Sequence, residues 1–347
     1  MNSSMANNVC VSFVHGFHDA ATPPTGVPVP ALWEVHGERE QVHRYIFPVN
    51  PADFEHLPYP LVGQGPRTAT GVERWPRYGF TGLGGLGAWL YAAGWNGIYK
   101  LDARTKQVVA FITNPYTCYM HRFHVDEDQI IIAVPFKDMV VVMDHTGQVR
   151  DTFWIDLSLR IRRDGLARDL DWRFISKPWS GTCGYYHFNN VQVCDGRILL
   201  TSRNLGAFLV VDPRADRCSL RTLNYHTPTC IHDGDWVDGH YYFTSIDGKI
   251  IVASDPPEHD AQLFNYDLHA EHHRLADVEL NWCRGIAVGR EHVYVTIDGR
   301  YGDDPNFKLL ELDREFRPTA MRKFAWSQVG DESRIRFVTG FDLVIAE

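Results

Sequence analysis

Ile98-Tyr99-Lys100-Leu101-Asp102 is a short apolar strand that ends in Asp and turns, and the chain repeats it four more times. The copies are Val140-Val141-Val142-Met143-Asp144, Phe208-Leu209-Val210-Val211-Asp212, Ile250-Ile251-Val252-Ala253-Ser254-Asp255 and Lys308-Leu309-Leu310-Glu311-Leu312-Asp313. Each follows another strand-like run, such as Ile130 to Ala133 or Ile198 to Ser202, and before that a segment carrying His, Asn, Thr or Arg. The closing Asp residues stand 42, 68, 43 and 58 positions apart. A four-stranded propeller blade takes about 40–50 residues, so the two long intervals carry insertions. The expected fold is all-β: a single β-propeller domain over residues 1–347, with six four-stranded blades as the leading count and five or seven as alternatives.

The rest of the chain fits this ruler. Residues 71–330 hold the five recognisable blades, with an insertion at 158–184. Residues 1–70 carry strand-like runs at Val9 to Val14 and Gln41 to Phe47, and the Pro-rich stretch Ala21 to Leu32 reads as loop or extended coil. Residues 331–347 add the runs Arg334 to Val338 and Leu343 to Ala346. Both termini together make the sixth blade, which closes the ring and removes its open sheet edges. Asp195-Gly196, Asp238-Gly239 and Asp247-Gly248 sit between strand runs as tight hairpin turns. Helical periodicity is absent.

Composition narrows the function. The chain has 347 residues, 44% apolar and 13% aromatic, enough for a sizeable core. Its formal charge is -9 and no long basic run occurs, which argues against a nucleic-acid partner. No apolar stretch approaches the roughly 18–20 residues that span a bilayer, so no membrane association is expected. Met1 to Asn8 lack the basic and apolar regions of a secretory signal, and a cytoplasmic location is the expectation. Seven scattered Cys without a CxxC pair give no disulfide framework and suit reduced thiols. No nucleotide cofactor is indicated.

Aligning the repeats brings Thr81, His121, Asn189, His232 and Arg284 to one position at the start of the strand that lines the channel. His187 falls two residues before Asn189, on the same side by strand alternation, and Asp233 and Asn190 come one residue later. Trp282 and Tyr119, at the start of two of these strands, offer aromatic surface to a substrate. Three imidazoles suit a divalent transition metal (zinc, iron, copper or nickel) bound by His121, His187 and His232, with positions left open for water or substrate. Asn189, Asp233, Arg203 and Arg284 would then position and polarise a small organic substrate, with Asp233 also able to orient a ligand His or act as a base, for hydrolysis, elimination or isomerisation. The spacing is no local metal signature. A second reading needs no metal: a channel His acts as nucleophile or acid/base while Arg and Asn hold an anionic leaving group. A third is a non-catalytic propeller that binds a protein or carbohydrate. The 158–184 insertion, rich in Arg, Asp and Trp, reads as a solvated loop or as a lid over the channel mouth.

His187-Phe188-Asn189-Asn190-Val191, followed by Ile198-Leu199-Leu200-Thr201-Ser202-Arg203-Asn204, resembles a blade of the aryl sulfotransferase-like propellers, which start with H-x-N and end the next strand in Ser-Arg. The chain as a whole resembles the wider group that also holds NHL and gluconolactonase-like propellers. The resemblance implies a sulfuryl-transferring role for His187, Asn189 and Arg203, and more loosely for His121 and His232. Where gluconolactonase-like propellers bind calcium through Glu, Asn and Asp, this chain carries mostly His, which prefers softer metals.

Overall fold

The computed structural model describes residues 5–17, 28–47, 77–94, 97–117, 120–135, 138–163, 186–222, 231–245, 248–254, 262–267, 283–297, 307–325, 328 and 335–346. Every regular element among them is a strand, and the strands form six antiparallel sheets. Neighbouring inner strands touch in the order of the chain and the last returns to the first, which makes a six-bladed β-propeller. Among the described residues no helix is long and apolar enough to cross a membrane.

The five repeats are blades one to five, and in each the Asp-ending phrase is the third strand from the axis. The inner strands are Gly82–Leu86, His124–Val125, Phe188–Cys194, Ile231–Val237 and Cys283–Val288. Blade six is built from both termini: Ile335–Ala346 is its inner strand, and Asn8–Phe17, Val29–His36 and Arg39–Tyr45 lie outside it. Two expectations change here. The C-terminal runs are one bulged strand, and the end of the Pro-rich stretch is a strand. Pro30 sits beside a bulge in the pairing with Arg39–Tyr45 and beyond the last pairing with Asn8–Phe17, a place where a strand tolerates proline.

Among the described residues, the closing Asp102, Asp144, Asp212 and Asp313 make the turns to the outer strands. Asp102 Oδ1 accepts from Thr105 N at 2.7 Å and Arg104 N at 3.1 Å. Asp144, Asp212 and Asp313 take backbone N–H groups in the same way. The residues of Asp195-Gly196 and Asp238-Gly239 all have positive φ, as a two-residue hairpin turn of this hand requires.

The core is divided into six apolar clusters, one between each pair of neighbouring blades. This explains the unbroken apolar runs. In blade two Ile130, Ile132 and Val134 pack toward blade one while Ile131 and Ala133 pack toward blade three, so both faces of the strand are buried. Near the axis the inner strands approach so closely that glycine is required. A Cβ on Gly82 would stand 2.3 Å from the His121 carbonyl oxygen, and one on Gly285 would stand 2.8 Å from the Asp342 Cα.

Gly82→Ala is therefore expected to destabilise the protein by roughly 1–3 kcal/mol. Gly85→Ala, whose Cβ would meet only the Val344 side chain at 3.5 Å, is expected to leave stability unchanged or raise it by up to about 1 kcal/mol. Urea unfolding of the two variants checks this, and equal midpoints would contradict the close approach of blades one and two.

Candidate functional site

The residues aligned by sequence meet at the start of the inner strands. Asn189, His232 and Arg284 each lie within a β-bulge, where the pairing jumps from Phe188 to Asn190, from Ile231 to Gly234 and from Cys283 to Ile286. A bulge re-aims side chains that regular alternation would send elsewhere. Threonines of the second strands hold these positions from the preceding blade. Thr201 Oγ1 donates to the His232 carbonyl at 2.9 Å, and Thr244 Oγ1 donates to the Arg284 carbonyl. Thr81 Oγ1 does the same to the Met120 carbonyl, beside His121. The Thr81 hydroxyl is thus spent on backbone.

His187 reaches the cluster by another route. It precedes the strand with φ of 51°, a left-handed conformation uncommon for a residue with a side chain. Asp138 of blade two stabilises it by accepting from Tyr186 N and from His187 N at 3.0 Å, and the His187 carbonyl accepts from Arg203 N at 3.2 Å. Strained backbone held by surrounding bonds is a feature of functional sites.

The His121 ring centroid lies 6.1 Å from that of His187 and 5.6 Å from that of His232. Arg284 Nη1 stands 3.0 Å from His232 Nε2, and His232 Nδ1 stands 3.0 Å from Asp233 Oδ2 without hydrogen-bond alignment. Burial holds the His232 pKa well below its ordinary value, and the charges of Arg284 and Arg203 push it the same way. The ring is neutral, Nε2 accepts from Arg284, and the proton belongs on Nδ1, facing Asp233. Burial also raises the Asp233 carboxyl to about 7, against the pull of Arg122 and Arg284. Asn189 is fully buried, and neither polar atom of its side chain has a hydrogen-bond partner among the described residues.

This arrangement bears on the expected metal ligands. His121, His187 and His232 converge, but the one lone pair of His232 is given to Arg284, so His232 does not fit a metal in this geometry. Among the described residues no three His, Cys, Asp or Glu side chains are arranged to hold one ion. Tyr119 and Trp282 lie outside the described residues, as does the insertion from 164 onward. Its first residues sit at the outer edge of the ring: Arg163 pairs with Asp216 at 2.5 Å and Asp151 at 3.5 Å, and Arg160 bridges to Arg217.

One layer further along the channel lies a network that the repeat alignment missed. Arg122, next to His121, is buried and crosses the axis. Nη1 donates to the Ile286 carbonyl of blade five and lies 3.4 Å from Asp342 Oδ1 of blade six; Nη2 lies 3.5 Å from Asp235 Oδ1 of blade four. Asp342 accepts from Leu83 N of blade one at 2.7 Å and from Leu343 N at 2.8 Å. Burial raises the Asp342 carboxyl to about 7, with Arg122 lowering it and Asp233 raising it further. For Arg122, burial disfavours the charge, but Asp342, Asp235 and Asp233 outweigh it, and its pKa is raised. A signal for this layer was present: Asp342 is a lone charge in the apolar run Phe341-Asp342-Leu343-Val344-Ile345, and a buried charge requires a partner.

Scanned against models of known protein families the sequence matches none, and no curated protein is recognisably similar to it.

Removing one partner of a buried ion pair typically costs about 3–5 kcal/mol. Arg122→Met is expected to lose that much, and Arg122→Met with Asp342→Asn together less than the sum of the two single changes; denaturant midpoints decide it. The carboxyls give a second expectation. Asp233 and Asp342 titrate near 7 when folded against an ordinary value of 3.8. The folded chain therefore holds their protons more tightly, and their contribution is greatest below the ordinary value and declines as pH rises toward 7. The thermal midpoint should fall as pH rises from about 4 to 7, with a shallower fall in Asp233→Asn. An unchanged slope in that variant would refute the assignment.

Proposed function

We propose that the histidine end of the channel binds the anionic group of a small organic molecule and carries out acid–base or group-transfer chemistry on it. The observation that carries this is the 3.0 Å contact between Arg284 and a neutral, buried His232. It fixes a guanidinium at the mouth and withdraws His232 from metal ligation. Arg284 and the half-buried Arg203 hold the anion, since a guanidinium matches a carboxylate, sulfate or phosphate with paired donors. His232, facing Asp233, positions Arg284. His121 and His187 are the groups that handle a proton or attack, and the unpartnered Asn189 amide supplies further hydrogen bonds to the reacting group.

Within this class the aryl sulfotransferase-like reaction is the most specific form. An imidazole nitrogen attacks sulfur, the S–O bond to the aryl group breaks and the phenolate takes a proton from a neighbouring group; an acceptor hydroxyl then attacks sulfur, the N–S bond breaks, and the hydroxyl proton returns to that neighbouring group. The blade at His187 to Asn204 motivates this choice.

A metal-dependent reaction is a second reading, favoured by the His121 ring centroid lying 6.1 Å from that of His187 and 5.6 Å from that of His232. It requires Arg284 to release His232. Under that reading Arg284→Ala tightens binding of zinc or nickel; under ours it weakens anion binding.

Sulfate is expected to raise the thermal midpoint of the wild type and not that of Arg284→Met. Release of 4-nitrophenolate from 4-nitrophenyl sulfate, with a phenol as acceptor, tests the transfer. His121→Ala or His187→Ala should reduce it by at least about 100-fold. Full activity in both variants would sink the proposed chemistry, and sulfate binding without turnover would leave a non-catalytic binding propeller.

A further inference from the structure

The channel has a second mouth. A cavity of about 640 Å³ opens at the far ends of the inner strands, and all six blades line it, through Gly85, Val125, Gln192, Val237, Val288 and Val344 among others. The histidine cluster stands at the opposite ends of the same strands, and the buried Arg122, Asp342 and Asp233 fill the axis between the two. The cavity is of the size that small organic ligands occupy, roughly 300–1,000 Å³.

Its origin lies in the inner strand of blade one, Gly82-Leu83-Gly84-Gly85-Leu86. Gly82 is required by the His121 carbonyl, and a Cβ on Gly84 would stand 2.8 Å from the Val125 side chain. Gly85 has no such neighbour, since its Cβ would meet only Val344 at 3.5 Å. Glycine inside a strand costs about 0.5–1 kcal/mol relative to Ala, and one that packing does not require marks close approach of something else.

The lining states the chemistry. Phe123, Val125, Val288 and Val344 give apolar walls. Of the lining acids, Asp235 is fully engaged: Oδ1 accepts from Trp236 N and faces Arg122, and Oδ2 accepts from Val288 N at 3.0 Å. Asp238 is 76% exposed and leans toward Arg314 at 3.9 Å. Arg290, at the rim, has no ion-pair partner among the described residues, and Arg122 presents its guanidinium from the floor. We propose that this mouth is a second binding site, independent of the histidine end, for a small organic anion with an apolar body: the body against the Phe123 and Val walls, the anionic group toward Arg290.

The fluorescent aromatic sulfonate 1-anilinonaphthalene-8-sulfonate serves as the probe, titrated against the full chain. The titration is made in Arg284→Met, which disables the anion site at the histidine end, and one saturable site per chain is expected there. Val237→Trp, which fills the cavity, and Arg290→Glu, an exposed change that leaves the core alone, should each weaken it by roughly tenfold or more. The wild type should retain this site at the same affinity. No saturable site, a site indifferent to both Val237→Trp and Arg290→Glu, or equally tight binding of the uncharged analogue N-phenyl-1-naphthylamine would each overturn the proposal.

Discussion

Arg122 reaching across the axis to Asp342 is the contact on which the centre of this propeller depends. The apolar core lies between blades and not at the middle of the ring, so the axis must be filled by other means. One guanidinium from blade two touches blades four, five and six, and its partner Asp342 takes an N–H from blade one. The desolvation of such ions costs several kcal/mol each. It is offset only because Arg122 meets two carboxylates and a carbonyl while Asp342 meets two backbone N–H groups as well. The offset is incomplete, since Asp342 and Asp233 still keep pKa values near 7.

That incompleteness connects the strut to the site above it. Asp233 feels Arg122 on one side and Arg284 on the other, and it faces His232. Around neutral pH the central carboxyls gain or lose protons while both guanidinium groups stay charged. The axis therefore shifts its net charge in the range where the histidine end would bind an anion. The same low-dielectric surroundings that make the carboxyls reluctant to ionise strengthen any fixed charge presented to a ligand.

Much of the architecture is legible in the sequence because the blades repeat. The Asp-ending third strands set a register, and that register places Asn189, His232 and Arg284 at equivalent positions, where the structure also has them. What the pattern could not supply is the local backbone. Alternation cannot reveal that these three residues lie within bulges, nor that His187 arrives through a left-handed turn held by Asp138 of another blade. Pro30 shows the reverse error: a residue that disfavours strands is tolerated beside a bulge and past the end of the inner pairing. The Arg122–Asp342 contact joins residues 220 positions apart. Neither has an equivalent in the other blades, so no repeat could point to it; only the isolation of Asp342 among apolar neighbours did.

The strut also decides how the two mouths relate. A propeller channel open from end to end would be one site with two entrances. Here Arg122, Asp342 and Asp233 are each less than a tenth exposed, and they divide the axis into a histidine end and a glycine-bordered end. The division follows from packing: these side chains are buried where the inner strands crowd the axis, and they close it there despite the desolvation cost of the pair. Each mouth can then carry its own ligand. Any influence of one on the other must pass through Arg122, whose guanidinium borders the lower cavity while its charge acts on the carboxyl beside His232.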